Sequence, residues 1–559
     1  MLGALPAAPE ADAPPDAAAF CAFAENTIAE GLRTGTHLAT TLALLGAWSA
    51  AHAGAADRHV PALIKTLTRL AKEHLAAPGS EGTLQLLREA LALLMARVSQ
   101  LGDQRRWFLS AMVQLVEKSP SVPLCRFLLD AMRTWVLRGE AFPTVKEKAG
   151  VLVKMLCFEA RDADLFRALL DLILAIYREP AFVRTELTAR LEPAFLRGCR
   201  HPDASMRRAF IDIFDASLTR SLPGRLLHLL GHQSWESLAD SYWVHPVLDL
   251  LLAAMGDGGA APLLAALRTL QYSSADAAHA LWEQFFAAIW AATPRRHQGD
   301  LGRALIGCVT RDYLLRQATA RPNVVQTLLA GALACRPPLE LPPHVLTYLA
   351  KTYQAWYETM ELLQAQLGAL RADDAVREST QDALAEVYAE LSEADYFYGL
   401  WRRRCAFGET NAALACEQSG QFAEAQMLYE AAQVRGRSSG LPLTEAEYHL
   451  WDDHWVLSAL ELQQWDVLTD LAKLEGNEDL ALECAWRLSD WSAERETLEK
   501  SLDSLQVHGT PRRKVFEAYL ALLRSQAAPD KPSDFGRVCD EAIQLTLYKW
   551  YTLPAHVSQ

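Results

Sequence analysis

The sequence lacks every cysteine arrangement that would hold a metal ion or cross-link a small fold. Its 10 cysteines are far apart, none forms a Cys-x-x-Cys pair, and most lie inside apolar stretches with helical spacing. A zinc site or a disulfide framework requires closely spaced or paired cysteines. The pattern therefore predicts buried free thiols in a reducing compartment.

Strand-forming patterns are also scarce. Val, Ile and Thr rarely occur in runs, and no stretch of alternating apolar and polar residues is bounded by hairpin turns. Ala and Leu dominate the apolar residues, which favours helices over strands. With 559 residues, 51% of them hydrophobic and 22% charged, the chain is folded but too long for a single core. These features predict an all-α fold, an α-α superhelix of helical hairpins.

Targeting and membrane-spanning segments are not evident. Residues 1–19 are rich in Ala and Pro but have no basic region and no long apolar run, so we interpret them as a disordered leader. Residues 34–56 carry no charge, but Thr, His and Ser interrupt them and Ala outnumbers Leu. A helix buried between neighbouring helices is favoured there, with a membrane span as the alternative.

Basic residues are fewer than acidic residues: 54 Lys and Arg against 68 Asp and Glu give a net charge of −14. An acidic surface repels nucleic-acid phosphates and anionic lipids, so neither nucleic acid nor a membrane is expected as a direct partner. The basic clusters, of which Arg402–Arg404 is one, are short and typical of solvated helix faces. Residues 511–514 could act as a weak nuclear-import signal.

Catalytic motifs are absent or out of context. No phosphate-binding G-x4-G-K-[ST] loop occurs. Residues 436–440 fit G-x-S-x-G, but a helical segment and not a strand precedes them, which favours a loop between helices. Asp534-Phe-Gly536 matches the metal-binding tripeptide of protein kinases, but no catalytic-loop His-Arg-Asp accompanies it. We interpret Asp534 as a helix N-cap.

Two groups of histidines are candidate metal ligands. His228 and His232 share a helix face but have no third ligand at a suitable spacing. His449, Asp452, Asp453 and His454 form the densest cluster of ligand-type residues, yet on a helix His454 points away from the other three. A buried polar network between helices is the favoured interpretation. The sequence therefore predicts no catalytic, cofactor-binding or metal-binding residue, no cofactor and no small-molecule substrate.

Helical periodicity is what the sequence does contain, from about residue 20 to the end. Apolar residues three and four apart run from Leu84 to Val98 and from Leu165 to Ile176, the second with Asp162 or Asp164 as its N-cap. A helical stretch is kinked or restarts at Pro193, and His201-Pro202-Asp203 then precedes a new helix. Because proline ends one helix and the acid caps the next, this turn is typical of HEAT repeats.

The repeat type changes further along the chain. Ala425, Tyr429 and Ala432 place an aromatic residue between two small ones on a helix face, as in the second helix of tetratricopeptide (TPR) repeats. Similar turns recur at Trp465 and Trp491. Trp465 follows Phe422 by 43 residues, and Trp491 follows Trp465 by 26 residues, so the repeat length is uneven. The pattern predicts irregular TPR-like hairpins.

Several long strings resemble the FAT domain of the transformation/transcription domain-associated protein (TRRAP) family. Those in the FAT-like part are residues 391–405, 447–455, 480–491 and 553–558. Residues 234–245 and 341–357 are similar to the helical repeats that lead into that domain. The resemblance runs with gaps from about residue 200 to the end, and it is strongest over residues 390–495.

The resemblance implies a nuclear scaffold. Members of this branch of the phosphatidylinositol-3-kinase-related kinases carry an inactive kinase-like domain. They are subunits of SAGA-type and NuA-type histone acetyltransferase complexes and bind transcriptional activators. The expected partners of this chain are therefore proteins, namely complex subunits and activators.

The resemblance also suggests how the chain is divided. We expect HEAT-like repeats over residues 20–340 and an incomplete FAT domain over residues 341–559, in a fragment, split gene product or truncated gene model. Two alternatives remain at this point. One is the FAT region of an active kinase of the same family, and the other is a general HEAT/TPR adaptor.

Overall fold

Apolar residues at helical spacing become the buried faces of successive helices. The computed structural model describes residues 15–255, 261–371, 375–438, 444–488, 495–504, 511–527 and 534–552, and these ranges contain helices and turns but no strand. The predicted all-α class is confirmed.

The first fourteen helices differ widely in length. They are α1 Pro15–Thr34, α2 Leu38–Ala51, α3 Val60–Ala76, α4 Glu81–Ala96, α5 Arg105–Lys118, α6 Val122–Leu137, α7 Val145–Lys154, α8 Ala163–Arg178, α9 Glu186–Arg190, α10 Glu192–Cys199, α11 Ala204–Ser217, α12 Leu222–Leu227, α13 Val244–Ala254 and α14 Ala261–Leu270.

Fifteen further helices follow in the described part of the chain. They are α15 Ala275–Ala292, α16 Arg295–Val309, α17 Val324–Ala334, α18 Pro343–Tyr353, α19 Trp356–Ala369, α20 Ala375–Glu390, α21 Ala394–Arg404, α22 Gly408–Gln418, α23 Phe422–Ser438, α24 Glu445–Glu461, α25 Trp465–Glu475, α26 Glu478–Leu488, α27 Arg495–Ser504, α28 Pro511–Ala527 and α29 Phe535–Thr552.

The chain divides into two compact units. The first comprises Met1–Ser221, Ser234–Leu238 and His245–Leu264, and the second comprises Leu222–Gln233, Ala239–Val244 and Ala265–Gln559. The predicted boundary at residue 340 falls inside the second unit, between α17 and α18. It stays a prediction. The predicted leader, residues 1–19, lies mostly outside the described residues, and α1 begins at Pro15 within its last part.

The first unit has two layers of helices. Odd-numbered helices from α1 to α9 pack on the next odd-numbered helix, and even-numbered helices from α2 to α10 pack on the next even-numbered one. Several helices also contact the next helix in sequence, as α1 contacts α2 and α3 contacts α4. Because every helix buries its apolar stripe against adjacent repeats, this is the arrangement expected of an α-solenoid.

Helix α8 shows how the periodicity produces the core. Leu165, Leu169, Leu172 and Ile176 are each at most 1% exposed. Asp162 caps the helix by accepting a hydrogen bond from the backbone N–H of Leu165 at 2.7 Å. The helix ends at Arg178, before Pro180. Both the predicted face and the predicted stop are confirmed, and Asp162 rather than Asp164 is the cap.

The turn between α10 and α11 follows the HEAT-like prediction. Helix α10 restarts with Pro193 in its first turn, and Asp203 caps α11 by accepting from the Ser205 N–H at 2.9 Å. Arg207 donates to the carbonyl oxygens of His201 at 2.8 Å and Pro202 at 3.2 Å. Arg207 therefore stabilises the turn that contains Pro202 and Asp203.

The uncharged stretch 34–56 contains α2, whose Leu38, Leu42, Leu45 and Trp48 are buried. Helix α2 packs against α1 and α4. Among the described helices, none combines the length and the apolar character needed to cross a membrane.

All ten cysteines are free, and six of them are buried. Burial raises the pKa of Cys125 to about 11 and that of Cys308 to about 12. A thiol with a raised pKa is mostly protonated at neutral pH, so these side chains act as packing residues and are poor nucleophiles.

Close packing between α15 and α17 requires a glycine. A Cβ atom on Gly331 would lie 2.6 Å from Trp282 Nε1 and 3.1 Å from Phe286 Cβ, and both aromatic side chains are fully buried.

We expect Gly331→Ala to destabilise the second unit by about 1–3 kcal/mol through overpacking. Gly302→Ala in α16, where the added Cβ meets nothing within 4 Å, should be neutral or stabilising. Thermal unfolding followed by circular dichroism compares the two variants. An unchanged midpoint for Gly331→Ala would contradict this packing.

Candidate functional site

A set of buried polar side chains connects the hairpins α21–α24. Helices α22 and α23 are joined by a tight turn in which Gly420 has φ +75°, a conformation that favours glycine. Ala425, Tyr429 and Ala432 on α23 are fully buried, in one cluster with Trp451 of α24. The predicted TPR-like packing of small, aromatic and small residues is confirmed.

A buried carboxylate, Glu417 of α22, lies at the centre of these hairpins. It accepts hydrogen bonds from Tyr398 Oη of α21 at 2.6 Å and from Tyr429 Oη of α23 at 2.7 Å. Nδ1 of His454 on α24 lies 2.9 Å from both carboxylate oxygens. The Glu417 side chain is only 1% exposed. Four helices therefore meet at one carboxylate.

The electrostatics of Glu417 follow from these contacts. Burial by itself raises the pKa of a carboxyl group, because it disfavours the charged form. Hydrogen bonds from His454, Tyr398 and Tyr429, together with the charge of His454, outweigh burial and hold the pKa of Glu417 below its usual value. Burial, and then the negative charge of Glu417, raises the pKa of Tyr429 well above its usual range. Glu417 is thus an ionised acceptor, and the tyrosines are its neutral donors.

A second carboxylate fixes α24 to the start of α22. Glu447 accepts from the backbone N–H groups of Ala406 at 2.8 Å and Phe407 at 3.3 Å and from the Thr410 hydroxyl at 2.7 Å. Trp451 Nε1 donates to the same hydroxyl oxygen at 2.8 Å. The four N-terminal N–H groups of a helix have no partner within it, and here an acid from another helix binds the N–H groups just before α22.

The predicted cluster of ligand-type residues on α24 separates in the structure. His454 joins Glu417 and stacks on Phe397, with ring centroids 5.3 Å apart. His449 is exposed and lies 3.8 Å from Glu445, while Asp452 accepts from Gln433 Nε2 at 2.8 Å. The interpretation as an interhelical polar network holds for His454 and not for His449. No group of three His, Cys, Asp or Glu side chains in the described ranges could hold a metal ion.

The other motif-like strings lie at helix ends. The rings of His228 and His232 are 5.9 Å apart on a π-helical turn that follows α12. Asp534 directly precedes α29, and its carboxylate lies 3.6 Å from Arg537 Nε. Residues 436–438 form the end of α23, and the rest of the G-x-S-x-G string lies outside the described residues, as does Trp491.

A surface groove borders the same hairpins. Its volume is about 630 Å³, and its charged lining residues are Glu430, Asp452, Asp453, Glu475, Asp479 and Arg512. Burial, and then the charge of Asp453, raises the pKa of Asp452. Trp455 donates from Nε1 to Glu430 at 2.9 Å along its wall. A shallow groove that mixes carboxylates with aromatic side chains resembles a protein contact surface more than an enclosed substrate pocket.

Glu417 is not among the residues that the sequence singles out, although its spacing carries a signal. Thr410, Ala413, Leu414 and Glu417 are the buried residues of α22, at positions i, i+3, i+4 and i+7. An acid at an apolar-face position of a helix must be paired when the face is buried. The spacing therefore indicates a buried, paired acid at Glu417. It does not identify the partner His454, which lies 37 residues further along the chain.

Replacing Glu417 should loosen the hairpins. We expect Glu417→Gln to reduce the local stability of α21–α24 by about 2–4 kcal/mol, because three donors lose a charged acceptor inside the protein. Glu424→Gln, at an exposed position of α23, should change stability by less than about 0.5 kcal/mol. Hydrogen–deuterium exchange of α22 and α23 in the full chain measures both. Equal exchange in the two variants would refute the structural role of Glu417.

The contribution of Glu417 should also depend on pH. Because its pKa is lowered in the folded state from 4.5, the unfolded chain binds more protons between the two pKa values. The stabilisation is complete above the unfolded pKa and is lost as pH falls through the folded pKa. The stability difference between wild type and Glu417→Gln should therefore be constant well above pH 4.5 and shrink as the pH falls below that value. A difference that grows on acidification would contradict an ionised Glu417.

Comparison with known proteins places this architecture in a family. The family model described as the Tra1 HEAT repeat ring region matches residues 1–263 and 254–335, which is more than half of the chain. The FAT domain model matches residues 478–559. The start of the FAT region at residue 341 stays a prediction.

Curated relatives match over nearly the whole chain. The SAGA complex/NuA4 acetyltransferase complex subunit Tra1 of Schizosaccharomyces pombe is 37% identical over 96% of this chain and 17% of its own length. The corresponding Saccharomyces cerevisiae subunit is 35% identical over 88% of this chain and 15% of its own length. The human transformation/transcription domain-associated protein is 27% identical over 90% of this chain and 17% of its own length.

The chain spans about a sixth of the length of these relatives. The similarity covers both the layered helices of the first unit and the TPR-like hairpins of the second. The resemblance found in the sequence is confirmed, and the chain belongs to the Tra1/TRRAP family.

Proposed function

We propose that the chain is a non-catalytic scaffold segment of a nuclear transcription coactivator. In this role it holds subunits of SAGA-type and NuA-type histone acetyltransferase complexes and contacts transcriptional activators. The observation that carries the proposal is the similarity, over 96% of the chain, to a protein named as a subunit of both kinds of complex. This similarity favours the coactivator hypothesis over a general HEAT/TPR adaptor.

The use of the polar side chains supports a role without catalysis. Glu417, Glu447 and His454 are candidates by residue type for acid–base chemistry, but each makes hydrogen bonds between helices. General acid–base catalysis requires such a group to reach a bound substrate. Asp534 leads directly into α29 and has no His-Arg-Asp loop in this chain to work with. The family's scaffold role is therefore a better fit than kinase chemistry within this segment.

Exposed apolar side chains support protein partners. Met427 and Val434 on α23 are 62% and 66% exposed, and Leu474 on α25 is 85% exposed. Residues 427 and 434 are seven apart and lie on one helix face. Exposed apolar surface beside polar residues is typical of sites that other proteins cover. The net charge of −14 disfavours nucleic acid and anionic lipid as the main partners.

A chimera tests this function in a setting that keeps the segment in its parent protein. The matching segment of Schizosaccharomyces pombe Tra1 is replaced by this chain, the chimera is affinity-purified, and its partners are identified by mass spectrometry. We expect recovery of subunits of both acetyltransferase complexes, with histone acetyltransferase activity in the eluate, as for tagged wild-type Tra1.

A deletion of the same segment provides the matched control and should lose some or all of these subunits. If the chimera accumulates to the wild-type level and recovers no acetyltransferase-complex subunit, the scaffold assignment is wrong for this chain.

A further inference from the structure

A groove with a volume of about 1040 Å³ runs along helices α19–α21 and is larger than the acidic groove described above. Helices α20 and α21 are antiparallel here, because Tyr388 near the end of α20 meets Tyr396 near the start of α21 while Arg404 at the end of α21 meets Asp382 in α20. The groove therefore has one end at the tyrosines and another at the arginines.

The tyrosine end is aromatic, and Asp395 lies beside Tyr396 in the lining there. Tyr388 is 4% exposed, and its hydroxyl oxygen accepts from Gln364 Nε2 at 2.8 Å. The ring of Tyr396 is 5.4 Å from that of Tyr388 and is 58% exposed. Leu384, which also lines the groove, is 2% exposed. A partly exposed tyrosine over a buried apolar floor offers an apolar or aromatic side chain a contact surface.

The arginine end of the groove carries positive charge. The side chain of Arg404 is 6% exposed; one terminal nitrogen donates to Asp382 at 2.5 Å, while Nη1 is buried without a hydrogen-bond partner. The guanidinium also lies over the Trp401 ring, 4.2 Å from the ring centroid, so Arg404 is held in place and adds to the positive potential at this end. The exposed Arg403 lies one residue away and lines the groove.

A third cation belongs to the same end. Arg377 lines the groove at the start of α20 and donates to the carbonyl oxygens of Leu367 at 3.4 Å and Leu370 at 3.1 Å. Three arginines thus lie near two acids, Glu378 in the lining and Asp382 beside it. The remaining acid of the lining, Asp395, is on the first turn of α21 and accepts from Gln418.

We propose that this groove binds an extended segment of a partner protein that places a carboxylate at the arginine end and an aromatic or aliphatic side chain at the tyrosine end. The inference rests on the proposed function, because it names the chemistry of one protein that the scaffold holds. A protein segment is favoured over nucleic acid because Glu378 and Asp395 line the groove and repel a continuous run of phosphates.

One face of α21 gives the groove a steric test. Tyr396, Gly399 and Arg403 are at positions i, i+3 and i+7 on the side of α21 that lines the groove. A Cβ atom on Gly399 would meet nothing within 4 Å, so a larger side chain fits the folded chain and fills the groove instead. Gly302 in α16 is equally open but lies outside the groove, so Gly302→Leu is a matched control.

The test measures binding of a labelled peptide to the full chain. The probe is a short fluorescein-labelled peptide in which aspartate alternates with leucine and phenylalanine, followed by fluorescence anisotropy. We expect saturable binding that weakens with added salt. Gly399→Leu and Arg403→Glu should each weaken it by about tenfold or more, and Gly302→Leu should leave it unchanged. Circular dichroism of each variant verifies that the helices remain folded.

Several outcomes would overturn the proposal. These are no binding of the peptide, binding that Gly399→Leu leaves unchanged, or equal binding of a peptide with lysine in place of aspartate. Binding of a labelled single-stranded RNA that Gly399→Leu abolishes would identify nucleic acid as the occupant instead. Because the peptide is titrated against the chain alone, failure here is distinguishable from failure of the chimera to recover complex subunits.

Discussion

The carboxylate of Glu417 is buried where four helices meet, and each of its three side-chain donors comes from a different helix. A buried charge is tolerated only when its hydrogen bonds are complete, so few arrangements of α21–α24 satisfy it. Glu447 adds a second restraint between α24 and the start of α22. Together they fix the helices around them, including α21. With Tyr398 held on Glu417, the adjacent face of α21 that carries Tyr396 and Arg403 is presented to the α19–α21 groove.

The separation between buried polar side chains and exposed binding surfaces suits a scaffold. Polar side chains that could have served a reaction are used to fix helices, and the surfaces left over are grooves and exposed apolar faces. In an α-superhelix each helix pair contacts mainly its neighbours, so such surfaces extend along the chain and several partners can bind at separate places. The two grooves described above differ in lining charge. The acidic groove has five carboxylates and one arginine, whereas the α19–α21 groove has three arginines and two carboxylates, so the two would favour different partners.

Local features were predictable from the sequence and long-range pairings were not. The face from Leu165 to Ile176 and the cap at Asp203 follow from helical spacing and capping chemistry, and both were found as predicted. The separation of His454 from His449 on α24 also follows from helix geometry. The partner of His454 does not, because Glu417 is 37 residues away and only the packing of α22 on α24 brings them together. The α19–α21 groove depends in the same way on how three helices pack.

Hydrogen–deuterium exchange of the chain alone and within the assembled chimeric complex tests the central claim most directly, namely that these hairpins are self-supporting and work through their surfaces. The account predicts slow exchange of α22–α24 amides in both states, with added protection in the complex confined to exposed faces and grooves. Fast exchange of α22–α24 in the free chain, with slow exchange only in the complex, would contradict it, because partners and not the buried carboxylates would then hold the helices together.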